Sequence, residues 1–172
     1  ARSKLNLLIT FNFLGAYIEQ ANKTIFVSIP RAPKQEYYSL SSAQKRTYFL
    51  YVFDKESVAY NMPQATLYER GMDRERLLDA FRKLIARHEI FRTTFHLIEE
   101  EPVQKISEAV NFEMEFFQSK AAEVHRVIDN FTRPFDLENG PLIRVGVVEL
   151  SPTEQYLLVD MHHIISDGVS QE

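Results

Sequence analysis

His162 and His163, followed by Ile164-Ile-Ser-Asp167-Gly168, are the residues of this chain best suited to handle a proton. An imidazole exchanges its proton near neutral pH, so it can serve as acid or base there. The pair ends an apolar run, Tyr156-Leu-Leu-Val-Asp-Met161, which reads as a strand. Strand neighbours point to opposite faces. One histidine is therefore expected to face inward and the other outward. That geometry opposes joint metal binding, and no third ligand follows at zinc spacing, so no metal site is expected. Asp167 falls where partial burial is expected, and a buried carboxylate needs a cation or several donors. Gly168 lacks a Cβ, so its backbone can approach a ligand closely.

A second constellation is Arg87-His-Glu-Ile-Phe-Arg-Thr-Thr-Phe95. It joins the end of a strong helical pattern to a strand. Taken alone it reads as structural, because basic residues suit a helix C-terminus.

The elements that must position these residues alternate. Phe11 to Asn22 has helical apolar spacing. Ser28 to Glu36 is polar with two prolines, which marks a linker. Ser41 or Ser42 can cap a helix over Ala43–Phe53. Asn61 to Glu69 reads as a strand, with an irregularity at Pro63. Asp73 caps a helix whose face is Leu77, Leu78, Phe81, Leu84, Ile85 and His88. Arg92 to Glu99 and Val103 to Ile106 read as a hairpin around an acidic turn. A strand over Phe112–Phe117 and a helix over Ala121–Phe131 follow. After a turn-rich connector, Pro134 to Pro141, come strands over Leu142–Glu149 and Gln155–Met161. Interleaved helices and strands predict an α/β or α+β fold, a mixed-sheet sandwich.

Bulk properties set the limits. The chain has 172 residues, enough for one domain, or one and a fragment. It is 45% hydrophobic and carries 13 Phe and no Trp, so its core is expected to pack aliphatic against aromatic side chains. The net charge of −4, with no basic stripe, argues against nucleic acid. The absence of Cys excludes disulfides and thiolate catalysis, and fits a cytoplasmic protein. No apolar run approaches the ~20 residues that span a bilayer, so no membrane partner is expected. The N-terminus reads as cut from a longer chain.

Together these segments resemble the condensation domains of non-ribosomal peptide synthetases. His162 to Gly168 matches that family's HHxxxDG motif. Ser41-Ser-Ala-Gln-Lys-Arg-Thr-Tyr-Phe-Leu50 is similar to its first core motif, SxAQxR(L/M)(W/Y)xL, and departs at Thr47. Arg87 to Phe95 is similar to the second, RHExLRTxF, and departs only at Phe91. Phe135 to Leu142 is also typical. The resemblance covers about Tyr37 to the C-terminus.

The resemblance implies a chloramphenicol-acetyltransferase-like fold of two lobes in a V, with this chain as the N-terminal lobe. It implies residues 1–24 as the last helix of a preceding peptidyl carrier domain, 25–36 as a linker and 37–172 as the lobe. Amide formation is then expected in a tunnel between the lobes. An acceptor aminoacyl amine attacks a donor peptidyl thioester, both carried on phosphopantetheine arms of neighbouring carrier domains. The domain itself binds no cofactor. Upstream and downstream carriers and a downstream adenylation domain are the implied partners. His163 is the implied base or amine-orienting group, and the Gly168 N–H an oxyanion donor. His162 packs inward, and Asp167 holds the turn by pairing with Arg87 or, second, Arg92. A lone first lobe is expected to be inactive. Rival readings are an epimerisation domain of the same superfamily, a coenzyme A acyltransferase of the same fold, and a non-catalytic carrier-docking fragment.

Overall fold

A computed structural model of the protein describes Pro30 and residues 32–167. The chain divides into two units, 1–34 and 35–172, and every element below belongs to the second. The helix read over Phe11–Asn22 lies outside the described residues.

Two sheets organise the second unit. The smaller has strand order β1-β4-β3, from β1 (Tyr38–Ser39), β3 (Thr93–Ile98) and β4 (Glu101–Ile106). The larger has order β2-β7-β6-β5, from β2 (Gln64–Tyr68), β5 (Glu115–Gln118), β6 (Ile143–Glu149) and β7 (Gln155–Met161). Within it β5 runs parallel to β6, and the other pairs are antiparallel. The sheet is mixed, as interleaved elements require.

Strand β6, inside the larger sheet, is buried on both faces. Its odd positions, Ile143, Val145 and Val147, pack with helix α2 (Arg74–Arg87) through Leu77, Leu78, Phe81 and Ile85. On its other face, Val148, with Leu158 of β7, packs with helix α3 (Val124–Phe131) through Val124 and Phe131. A strand covered on both sides reads as a nearly continuous apolar run. Helix α2 begins at Asp73, whose side chain accepts from the Arg76 N–H at 3.0 Å.

A separate core lies beneath the turn that follows β7. Helix α1 (Ser42–Phe53) contributes Tyr48 and Tyr51, β3 contributes Phe95, and the connector contributes Phe135, Leu137 and Leu142. Ile164 and Ile165 complete it. The Leu137 carbonyl accepts from the Phe95 N–H at 2.7 Å, so the connector is stitched to β3.

Boundaries shift where local chemistry outweighs pattern. The strand read from Asn61 begins at Gln64, because Pro63 has no N–H for the ladder. Asn61 instead makes an isolated antiparallel bridge to His162. The strand read from Phe112 begins at Glu115, while Phe112 and Met114 are buried under α2. The helix read from Ala121 opens as a 3-10 turn over Ala121–Glu123. Pro102 lies inside β4, but the partner strand β1 reaches only Val103, so no ladder bond is lost there.

Candidate active site

Strand β7 delivers the two histidines to different environments. His162 continues the face of Asp160 and is buried, at 4% exposure. His163 follows the strand end and is exposed. Three backbone hydrogen bonds fix this junction. The His162 N–H donates to Leu142 O at 3.1 Å, the His163 N–H to Tyr60 O at 2.8 Å, and the Ile165 N–H to His162 O at 3.1 Å.

The His162 ring is held between Tyr60 and Phe135, with ring centroids 6.4 and 6.3 Å away. Its Nδ1 accepts from the Ile164 N–H at 3.2 Å, which assigns the proton to Nε2. Burial, and then the neighbouring His163, push its pKa down to about 4. His162 is therefore neutral at physiological pH and closes the turn on itself.

His163 lines a cavity of about 740 Å³. Ile164, Ile165, Ser166 and Asp167 continue that wall, and Tyr60 and Ile90 add to it. The first turns of α1 also line the cavity, through Ser41, Gln44, Arg46, Thr47 and Leu50. The first and third motifs thus meet at one cavity. Two polar residues of the first motif serve the helix itself. Ser41 Oγ accepts from the Gln44 N–H at 3.2 Å, and Gln44 Oε1 accepts from the Ser41 N–H at 2.9 Å. This capping box fixes where the helix starts.

The second motif is mostly scaffold. Arg87 ends α2, Glu89–Arg92 form a 3-10 turn, and Thr93 opens β3. Thr93 Oγ1 donates to Glu89 O at 2.9 Å. Of this motif only Ile90 lines the cavity.

Arg92, the second expected partner of Asp167, is engaged elsewhere. Arg92 spends its guanidinium on carbonyls at the end of α2 and after β4: Ile85 O at 3.3 Å, Ser107 O, and Glu108 O at 3.4 Å. Arg87 is exposed on the last turn of α2. Asp167 is exposed at the cavity lip rather than partly buried, because the chain has already left the sheet at the turn of residues 163–165. Gly168 lies outside the described residues. Among the described residues, no group of three His, Asp or Glu side chains is arranged to hold a metal.

A buried polar cluster behind the histidines escaped the sequence reading. Asp160 is 0% exposed. Its Oδ2 accepts from Arg144 at 3.1 Å and from Asn61 Nδ2 at 2.7 Å. Burial raises its pKa, opposed first by the Asn61 hydrogen bond and then by the Arg144 charge. Arg144 also donates to the carbonyls of Phe131, Arg133 and Pro134 and stacks 4.3 Å from the Phe135 centroid. The signal was available as a charge set among apolar neighbours in each of two strands, Arg144 in β6 and Asp160 in β7. A hairpin closed by Glu149 and Gln155 places them opposite one another.

Comparison with known proteins bears on this arrangement. The family described as Condensation domain matches residues 34–172. Tyrocidine synthase 2 of Brevibacillus parabrevis is 44% identical over 163 residues, which is 95% of this chain and 4% of that protein. Bacitracin synthase 2 of Bacillus licheniformis is 46% identical over 161 residues, 94% of this chain and 6% of that protein. The X-domain from teicoplanin biosynthesis superposes with a TM-score of 0.71 at 24% identity, over 80% of this chain and 30% of that one. The starter condensation domain of rhizomide synthetase RzmA gives 0.67 at 23%, over 78% and 36%. The chain belongs to the condensation-domain family. Its fold is that of the N-terminal lobe, and it spans only a small part of the synthetases it matches.

Proposed function

We propose that the chain is the N-terminal lobe of a condensation domain that forms peptide bonds in non-ribosomal peptide synthesis. The observation that carries this reading is the position of His163: the exposed member of the pair, lining one cavity together with residues of the first motif. In this reading an aminoacyl amine, tethered by thioester to one carrier domain, attacks the carbonyl of a peptidyl thioester on another. The C–N bond forms, the C–S bond breaks, and the amine proton leaves with the thiol. His163 takes that proton or orients the amine by a hydrogen bond. A positioned base contributes typically ~10²–10⁴-fold. Orientation alone can also be large. The Gly168 N–H is the proposed donor to the oxyanion. His162 keeps the turn closed, and Asp167 anchors its far end.

The proposed partners are donor and acceptor carrier domains, with an adenylation domain downstream. Their phosphopantetheine arms bring the substrates, and the lobe holds no cofactor of its own. A first unit ending at residue 34, and a family match starting there, support the end of a carrier domain over 1–24 and a linker over 25–36. No helix of the described residues is long and apolar enough to cross a membrane. A cytoplasmic location rests on the absence of cysteine.

The test is His163→Ala in the complete condensation domain, with both carriers loaded. Peptide formation should fall by at least ~10²-fold while loading is unchanged. Near-full turnover would remove His163 from the reaction.

A further inference from the structure

We propose that Asn61, Asp160 and Arg144 are positioning residues for the condensation reaction, acting by fixing the backbone that carries His163. The proposal rests on the reading of His163 given above. Its starting point is the segment Tyr60-Asn61-Met62, which holds the histidine turn as a short extra strand. The Tyr60 carbonyl accepts the His163 N–H at 2.8 Å, and the Met62 N–H donates to Met161 O at 2.8 Å. Asn61 sits between those two contacts and bridges His162. Pro63 separates this segment from the regular ladder of β2, which begins at Gln64. The segment therefore needs an anchor of its own.

The Asn61 side chain is that anchor. Its Nδ2 donates to Asp160 Oδ2 at 2.7 Å and to Arg133 O at 3.0 Å. Asp160 is held in turn by Arg144, its register partner on β6. Arg144 lies over Phe135, and the Phe135 ring meets His162 edge-on, at 87°. The cluster thus reaches the histidine turn by two routes, through the backbone of Tyr60 and through the ring of His162.

The cluster is costly as a stability device. Asn61 Oδ1 is buried without a hydrogen-bond partner among the described residues. Buried ion pairs are often matched or exceeded in stability by apolar residues of similar size. A directional tie, which apolar packing cannot supply, is the more economical account. A displacement of about 1 Å at a reacting group can cost ~10²-fold in rate.

The experiment uses the complete condensation domain with loaded carriers. Two variants are compared with wild type: Asn61→Leu, and the paired Arg144→Met with Asp160→Leu. Both keep side-chain volume and remove the tie. We expect kcat to fall 10- to 100-fold, with KM for the carriers within twofold and the folded fraction at assay temperature unchanged. Restoring Arg144 and Asp160 must restore the rate. Full turnover in both variants overturns the proposal, as does a loss confined to KM. Failure of both variants to fold overturns it too, because the cluster then serves stability alone. Wild-type domain that forms no peptide, or His163→Ala at full rate, refutes the underlying reading instead.

Discussion

Asp160 and Arg144 stand opposite one another in register on β7 and β6, with Asp160 Oδ2 3.1 Å from an Arg144 guanidinium nitrogen. The carboxylate has no exposed surface, and the arginine side chain keeps 12%. Removing one partner strands the other charge in the interior. Asp160→Leu or Arg144→Met alone should each cost about 3–5 kcal/mol of folding stability. The two together should cost clearly less than the sum of the single losses, because the uncompensated charge is gone and only the carbonyls and amide they served are left to repair. Urea unfolding of the four proteins measures this cycle. Additive losses would show that the two side chains are not coupled.

His162 makes folding depend on pH. Its folded pKa is about 4, against 6.5 for an unperturbed imidazole. Above pH 6.5 the ring is neutral in both states and gives no pH dependence. Between 6.5 and about 4 the unfolded chain binds a proton that the folded chain refuses, so stability falls as pH falls. The slope approaches about 1.4 kcal/mol per pH unit, or roughly 3 kcal/mol across the window. Asn at this position offers an acceptor where Nδ1 stands and does not titrate. His162→Asn should flatten the curve in this window by that amount. An unchanged slope would show that His162 is not the group responsible.

How far the sequence reveals the site differs between the two histidines and their surroundings. The inward and outward division of His162 and His163 follows from strand alternation alone, and the cavity position of His163 agrees with it. Helices α1 and α2 were legible because Ser41 and Asp73 are strong caps and α2 has a clear apolar face. The contacts of Arg92 were not legible, for a physical reason. Arg92 is surrounded by open carbonyls at the end of α2, which local sequence does not display. The Asn61 anchor was hidden because Asn61 and Asp160 are 99 residues apart and meet only after β2 pairs with β7.

The β3–β4 turn stores strain that can be released. Ile98 pairs with Glu101, so only Glu99 and Glu100 make the turn. Both have positive φ, 49° and 67°. Hairpin turns of this kind favour Asn-Gly, and the left-handed region costs an L-residue roughly 1–2 kcal/mol. Like charges side by side add to that. Glu99→Asn with Glu100→Gly should raise stability by about 1 kcal/mol, offset in part by the greater unfolded freedom of glycine. Thermal unfolding would register this as a rise of a few degrees. A lower midpoint would show that the two glutamates make stabilising contacts that outweigh their strain.

His163 should separate function from folding. Its side chain is exposed, and its structural contribution is the backbone N–H given to Tyr60, which any residue but proline retains. His163→Ala should therefore leave the unfolding free energy within about 0.5 kcal/mol of wild type. Peptide formation, in the proposed reaction, should nonetheless collapse. His162→Ala should show the opposite order. It opens a cavity between Tyr60 and Phe135 and removes the acceptor for the Ile164 N–H, so stability should fall by about 2–4 kcal/mol. Any rate loss in His162→Ala should follow from the lost fold and turn geometry. Unfolding curves and single-turnover rates measured on both variants make the comparison. Equal destabilisation of the two would mean that His163 is a packing residue, and the division of labour within the pair would be lost.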